Sequence, residues 1–335
     1  MKIIIPVAGF GTRLRPHTLV KPKVLLNVAG KPMIHYIVEQ LINDKIGDEI
    51  IFITGFLGEQ IEKYINSEFA AHKRKFRYIV QEVPHGLGHA IYCAEPAFKK
   101  DEETLIILGD TLFDVDLKKL VDNKYSVIGT KRVDNPQRFG VVEKNKSGFI
   151  TRMVEKPASP EVSPSKDAIV GIYFLKSSKL LFDSLHRMID KDIRTKGEYQ
   201  LTDALEMMID RGIKMKTYNV HGWLDCGKPE TLLQTNSYIL KHIIKQKKYN
   251  FPGSVIIPPV FIHPSAEILN SIIGPDASIS KNCKIKNSIV GNSTVNDNTE
   301  ITNALVFDSV IGHDVKLKLE TNKYNIGDNS EIDVQ

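Results

Sequence analysis

The sequence predicts an α/β fold with a mostly parallel sheet, followed by a short stack of parallel strands wound as a β-helix. Two observations carry that prediction. From Lys2 to about Leu240, short β-branched runs alternate with apolar helical patterns, as in parallel sheets covered on both faces. After Phe251, single aliphatic residues recur every five or six positions among Gly, Asn, Asp, Ser and Thr, a texture too long for one strand and too irregular for a helix. The expected boundaries are 1–240 for the sheet domain, 241–256 for a helical linker and 257–335 for the repeats.

Taken in order, Ile3 to Val7 is an apolar run long enough for a buried strand and too short for a helix. It leads into Ala8-Gly9-Phe10-Gly11-Thr12-Arg13, where small residues let backbone N–H groups approach an anion closely. Arg13, Arg15, Lys21 and Lys23 add cations to the amides, so the loop has the outline of a phosphate site. The glycines alone also suit an ordinary β-turn. Leu14 stands where a dinucleotide fingerprint needs its third glycine, and no G-K-[ST] follows as a P-loop requires. Beyond Pro32, residues Met33, Ile34, Ile37, Val38, Leu41 and Ile42 make one helical face. Strands are expected at Ile50–Thr54, Tyr78–Gln81 and Leu105–Leu108, and helices at Leu57–Ile65, Gly88–Phe98 and Thr231–Lys248. Ligands of such sheets bind at the carboxyl ends of the strands, where both the glycine loop and Asp110 fall.

In the repeats, Ile262 to Ile279 is 17 residues and Ile279 to Val295 is 16, so one triangular coil per repeat fits, with room for about three coils. A small irregular β-domain of the same turn-rich composition is the alternative.

Composition narrows the function. The 335 residues carry a net charge of +5, which suits an anionic small molecule, and no basic run has interleaved aromatics as nucleic-acid binding would require. Cys93, Cys226 and Cys283 form no C-x-x-C pair, so reduced thiols in a cytoplasmic protein are expected rather than disulfides or a zinc site. Pro6 and Gly9 interrupt the N-terminal apolar run, which therefore reads as a strand and not an export signal. No apolar run approaches the roughly 20 residues of a membrane span.

The string A-G-x-G-T-R-L-x-P-x-T from Ala8, then Pro22-Lys23-Val24-Leu25-Leu26 and Ala29-Gly30-Lys31-Pro32-Met33-Ile34, closely resembles the opening of the sugar-1-phosphate nucleotidyltransferases. Further strings follow in the order this family shows them: Gln81 with Pro84-His85-Gly86-Leu87-Gly88-His89-Ala90, Leu108-Gly109-Asp110, Phe139-Gly140-Val141-Val142, Glu155-Lys156-Pro157, Val170-Gly171-Ile172-Tyr173, Gly197-Glu198-Tyr199-Gln200-Leu201-Thr202-Asp203-Ala204 and Gly222-Trp223-Leu224-Asp225-Cys226-Gly227-Lys228-Pro229-Glu230. The tail resembles the hexapeptide repeats of left-handed β-helices, which occur appended to members of the family. A Rossmann-like nucleotidyltransferase domain with a left-handed β-helix is thus implied.

The implied reaction joins a nucleoside triphosphate to a sugar 1-phosphate, a phosphate oxygen attacking the α-phosphorus in line as pyrophosphate leaves. The nucleophile is largely ionised near neutral pH, because phosphate monoesters have a second pKa of about 6, so no general base is needed. Cations, amides and Mg²⁺ do the work by neutralising charge. Magnesium takes one or two carboxylates and completes its shell with phosphate oxygens and water. The resemblance implies that Asp110 and Asp225 supply those carboxylates. It places Arg13 and Lys23 on the triphosphate, and Ala8, Gly9, Gly11, Thr12, Gln81 and Gly86 around the nucleotide. It gives Lys156 to the sugar phosphate and Glu155, Gly140 and Gly171 to the sugar. Lys196 stands where many thymidylyltransferases carry arginine before Gly-Glu, which loosens assignment to that branch. His85 and His89 read as loop and helix-start polarity.

UTP or dTTP with glucose 1-phosphate is the expected substrate pair, in a homo-oligomer with no nucleic-acid or membrane partner. Mannose-1-phosphate guanylyltransferase is the nearest alternative. Two others come from different classes: a nucleotide-sugar sensor without turnover, and a bifunctional protein whose β-helix transfers acyl groups with His263 or His313 as base.

Overall fold

The structure, a computed structural model, describes residues 1–320. The chain divides into two compact units, one of Met1–Asn27 and Lys31–Leu232, the other of Val28–Gly30 and the chain from Leu233 onward.

The strands of the first unit that position its cavities are β1 (Lys2–Pro6), β2 (Glu49–Thr54), β3 (Lys75–Val80), β4 (Thr104–Ile107), β5 (Thr111–Asp114), β6 (Ser126–Arg132), β7 (Gly140–Lys144), β8 (Ile150–Glu155), β9 (Asp167–Leu175), β10 (Met215–Asn219) and β11 (Gly222–Asp225). The helices are α1 (Met33–Asn43), α2 (Gly58–Glu68), α3 (Leu87–Tyr92), α4 (Leu117–Val121), α5 (Ser178–Asp190) and α6 (Leu201–Asp210), with α7 (Pro229–His242) following. Strands β4, β1, β2 and β3 lie side by side in that order, all parallel. Ile3, Ile4 and Ile5 of β1 and Ile50 to Ile53 of β2 are wholly buried, which is why these strands are unbroken apolar runs without alternation.

The second half of the sheet is mixed, where β-α alternation had implied parallel strands. Strand β9 runs antiparallel to β4 and β6, β10 runs parallel to β6, and the hairpin β7–β8 attaches to β9 through Ala168 and Val141. One edge of β9 pairs with β6 along most of its length. The opposite edge is shared, meeting β7 at Ala168 and β4 over Ile172–Leu175. Gly171 stands at the switch with φ +94°, and a Cβ there would lie 2.6 Å from the Leu108 side chain. Only glycine serves where the backbone is left-handed and the neighbour this close. The sheet therefore forks next to the carboxyl end of β4, and the fork leaves an opening beside Asp110.

Helix α1 buries Met33, Ile34, Ile37, Val38 and Leu41, the face expected from the sequence. The helix expected over Gly88–Phe98 stops at Tyr92 and resumes as a 3₁₀ turn at Glu95–Ala97, because Pro96 cannot continue an α-helix. Helix α7 ends at His242 rather than in the lysine run.

In the second unit, three four-stranded parallel sheets stack as a β-helix. The first face holds Val255–Ile256, Ile272–Ile273, Ile289–Gly291 and Leu305–Phe307, and the second holds Val260–Ile262, Ala277–Ile279, Thr294–Val295 and Val310–Ile311. The third holds Glu267–Leu269, Lys284–Lys286, Glu300–Thr302 and Lys316–Lys318. Its interior is the aliphatic series read from the sequence, including Ile262, Ile268, Ile273, Ile279, Ile285, Val290, Val295, Ile301 and Val306. The first face has a fourth strand because the stack starts at Val255, ahead of the Pro258-Pro259 pair that obscures the period, and the other two faces count four from Val260 and Glu267. Corners are turned by Asn282, Asn298 and Asp314 with φ between +56° and +59°. Asn and Asp tolerate that conformation. Their side chains form a ladder, Asn282 Nδ2 donating to Asn298 Oδ1 at 3.1 Å and Asn298 Nδ2 to Asp314 Oδ1 at 2.9 Å.

Candidate active site

Two adjoining cavities open at the carboxyl ends of the first unit's strands. The first, about 450 Å³, is walled by Ala8, Gly9, Gly11 and Thr12 on one side and by Gln81 and Gly86 on the other. Thr18 Oγ1 donates to the Gly11 carbonyl at 2.8 Å and fixes the loop after β1. Gln81 is 6% exposed, its N–H donating to the Thr54 carbonyl at 2.8 Å. Its Nε2 lies 3.2 Å from the Gly86 carbonyl and 3.0 Å from His89 Nδ1. Burial, and then the charges of His85 and Arg194, lower the pKa of His89, so its neutral ring accepts from the amide. Gly86 has φ +109°, and a Cβ there would meet the Tyr199 carbonyl at 2.7 Å.

The second cavity, about 410 Å³, occupies the fork. Arg13, Asp110, Gly140, Glu155, Lys156, Gly171 and Asp225 all border it. Asp110 also borders the first, so one carboxylate stands where the two meet. Strand β11 pairs antiparallel with β5, bringing Asp225 opposite Thr111 and next to Asp110, and Cys226 N–H donates to the Asp110 carbonyl at 3.4 Å. Lys23, 7% exposed, donates from Nζ to Asp110 Oδ2 at 2.6 Å. Arg13 Nη2 and both Asp225 oxygens lie within 3.1 Å of the point a Cβ on Gly227 would occupy. Guanidinium and carboxylate thus converge on a residue with no side chain.

Glu155 ends β8, and Lys156 follows with φ +46°. The Lys156 Nζ lies 3.3 Å from Glu155 Oε1, while Thr202 Oγ1 donates to Glu155 Oε2 at 2.8 Å. The cavities thus gather four basic side chains, Arg13, Lys23, Arg138 and Lys156, around two strand-end carboxylates. Among the described residues there is no group of three or more His, Cys, Asp or Glu suited to holding a metal. A two-carboxylate set at strand ends, facing cavities sized for phosphates, suits an ion that takes its other ligands from phosphate and water.

A model of the family described as nucleotidyl transferase matches residues 2–242. The chain belongs to that family. It is 30% identical over 358 residues to the bifunctional protein GlmU of Methanococcus vannielii, covering 97% of this chain and 81% of that protein. It is 27% identical over 366 residues to the glucose-1-phosphate thymidylyltransferase of Streptomyces antibioticus, covering the whole of both. Among solved structures, UDP-glucose pyrophosphorylase complexed with UDP-glucose is similar with a TM-score of 0.61 and 27% identity, over 72% of this chain and 98% of that one. The protein is a sugar-1-phosphate nucleotidyltransferase with a C-terminal parallel β-helix.

In this nucleotidyltransferase every site residue named from the sequence lies at one or both cavities except Lys23, which reaches them through Asp110. Sequence reasoning missed others. Gln200, Thr202, Arg138 and Trp223 line the second cavity, and Glu198 lines the first. Thr202 lay within the Gln-Leu-Thr-Asp-Ala string, and Gly227 within the motif that carries Asp225. His89, read as helix-start polarity, holds the Gln81 amide. Lys196 is exposed, its Nζ 3.5 Å from the Lys156 carbonyl. In the β-helix, His263 Nδ1 lies 2.8 Å from Ser265 Oγ, and His313 faces Asp297 at 3.6 Å. No helix among the described residues is long and apolar enough to cross a membrane.

Proposed function

We propose that this enzyme transfers a nucleoside monophosphate from a pyrimidine triphosphate, UTP or dTTP, to glucose 1-phosphate. The supporting observation is that Asp110 borders both cavities, a backbone-walled one suited to the triphosphate and a charged one suited to the sugar phosphate. The reacting phosphates would meet at that boundary. Relatives named for glucose 1-phosphate, dTTP chemistry and UDP-glucose support the choice of substrates.

In this reading the amides of residues 8–12 hold the triphosphate from the first cavity, Arg13 reaches its phosphates from the border of the second, and Lys23 neutralises the α-phosphate. Asp110 and Asp225 would hold Mg²⁺, whose charge helps the α-phosphate accept electron density and pyrophosphate depart. Lys156 orients the sugar phosphate for in-line attack, and Glu155 accepts hydrogen bonds from sugar hydroxyls. With Gln81 Nε2 engaged by Gly86 and His89, its Oε1 is the atom to accept a hydrogen bond from a pyrimidine N3–H. Proximity and charge neutralisation supply the rate, and no side chain need remove a proton.

The test is Mg²⁺-dependent pyrophosphate release across UTP, dTTP, GTP, ATP and CTP against glucose, mannose and N-acetylglucosamine 1-phosphates, with Asp110→Asn and Asp225→Asn alongside. The expected result is a preferred UTP or dTTP pair with glucose 1-phosphate, and a loss of about 10³-fold or more in each variant. Preference for GTP with mannose 1-phosphate would overturn the substrate assignment. Unimpaired variants would overturn the metal assignment.

We further propose a homo-oligomer. The first face of the β-helix presents Val255, Ile272, Ile289 and Leu305 as a register-paired outward column, with Val255 56% and Leu305 71% exposed.

A further inference from the structure

The segment Glu198–Thr202 is a wall shared by the two cavities. Glu198 borders the first, Gln200 and Thr202 border the second, and Tyr199 and Leu201 between them are buried. Its nucleotide-side end is pinned by backbone bonds, Tyr199 N–H to the His85 carbonyl at 2.8 Å and Gly88 N–H to the Tyr199 carbonyl at 2.7 Å. Gln200 Nε2 donates to Glu198 Oε2 at 3.0 Å. At the other end Thr202, 5% exposed, donates its hydroxyl proton to Glu155 Oε2.

Glu155 has little other freedom. A Cβ on Gly140 would lie 3.0 Å from Glu155 Oε2 and 3.2 Å from Thr202 Oγ1, so the carboxylate packs against bare backbone on that side. Asp203, the next residue, carries a buried Oδ2 without a hydrogen-bond partner, and burial first, with the Glu155 charge adding to it against a lowering bond from Thr195, raises its carboxyl pKa. The surroundings of Glu155 therefore offer one fixed neutral donor, the Thr202 hydroxyl, beside a carboxyl that repels it.

We propose that Thr202 is the positioning residue that fixes the Glu155 carboxylate, and that this fixed carboxylate discriminates among sugar hydroxyls. The proposal rests on the sugar-phosphate role given to the second cavity above. Without that hydroxyl the carboxylate keeps its contact with the partly exposed Lys156 ammonium at Oε1 but loses the donor that orients Oε2, so its lone pairs are less well directed. Hydroxyl selectivity then falls, while the triphosphate, bound in the other cavity, is unaffected.

The experiment compares wild type, Thr202→Val and Thr202→Ser with the hexose 1-phosphate that the wild type uses best and its monodeoxy analogues, at saturating nucleotide. Thr202→Val should raise KM for the parent sugar about 10- to 100-fold, leave KM for the nucleotide within about twofold, and be restored to within about threefold by Thr202→Ser. For the analogue lacking the hydroxyl that Glu155 accepts, the valine penalty should shrink to about threefold or less, as two changes on one interaction do. An equal penalty for every analogue, or failure of serine to rescue, would overturn the proposal and leave Thr202 a packing residue. Calorimetric titration of the three proteins with glucose 1-phosphate separates the two levels of inference. Absent wild-type turnover counts against the transfer reaction, whereas equal binding by wild type and Thr202→Val counts against positioning.

Discussion

The two cavities meet at one carboxylate but are built from different material. The first is walled largely by backbone and small residues, with Gln81 as its buried polar side chain and Gly86 held where no Cβ fits. The second is walled by charged side chains on neighbouring strands, with Glu155 and Lys156 paired and Arg13 beside Asp225. Backbone amides offer polyphosphate a fixed, uncharged cradle that needs no side-chain ordering. Side-chain cations and carboxylates offer a sugar phosphate both charge and direction. Damage to the first cavity should therefore come from adding atoms, and damage to the second from removing charge.

The sharpest test of that contrast is Lys156→Ala. Removing this cation should lower kcat/KM about 10²-fold, mostly through KM for the sugar 1-phosphate, with nucleotide affinity nearly unchanged. Isothermal binding of each substrate separately checks the split. Equal weakening of both ligands would mean that the cavities are not functionally separate.

Gly86→Ala is the counterpart. An alanine at φ +109°, its Cβ 2.7 Å from the Tyr199 carbonyl, must displace the loop or the segment it is stitched to. About 2 kcal/mol of stability should be lost, with KM for the nucleotide rising and sugar-phosphate binding less affected. Urea unfolding and nucleotide titration read the two effects.

A smaller effect comes from His89, whose folded-state pKa lies below its ordinary 6.5. The sign follows from that depression. Above pH 6.5 the ring is neutral in both folded and unfolded chains, and its contribution is fully present. As pH falls below 6.5 the unfolded chain takes up the proton first, so stability declines toward the folded pKa. Protonation of the folded ring, which comes at lower pH than that of the unfolded chain, also removes the acceptor that holds Gln81 Nε2, so nucleotide KM should climb as pH falls through the folded pKa, with sugar-phosphate KM flat. His89→Asn should flatten the nucleotide profile.

The contrast also explains what the sequence disclosed. The first cavity was legible because its glycines and Gln81 sit in contiguous strings, and local backbone geometry is written locally. Asp110 and Asp225 were each named from their own local motif, but their adjacency depends on pairing of β5 with β11, strands that lie more than a hundred residues apart. Thr202 was invisible as a partner of Glu155 for the same reason, since 47 residues separate them. The fork at Gly171 arises from an antiparallel strand exchanging partners, and strand order has no period to read. In the β-helix the reverse holds: one inward aliphatic residue per strand, about three per coil, sufficed to identify the interior, because each coil packs only on its neighbours.

The last test turns on the outer faces of that β-helix. On the third face the outward column reads Glu267, Lys284, Glu300, Lys316, alternating in sign down the register and suited to water. On the first face the corresponding column is Val255, Ile272, Ile289, Leu305, and Phe307 beside it is 53% exposed. Charges that alternate across strands satisfy one another, whereas a flat aliphatic column is stabilised only by something that covers it. A second copy of the chain presents the same column and can pack sheet on sheet. Leu305→Lys should therefore shift the sedimentation coefficient toward the monomer while changing per-chain stability by no more than about 0.5 kcal/mol and turnover scarcely at all. The matched substitution Lys316→Leu on the charged face should leave the assembly as it was. If both variants sediment like the wild type, the apolar face is not the interface, and the proposed oligomer must form elsewhere or not at all.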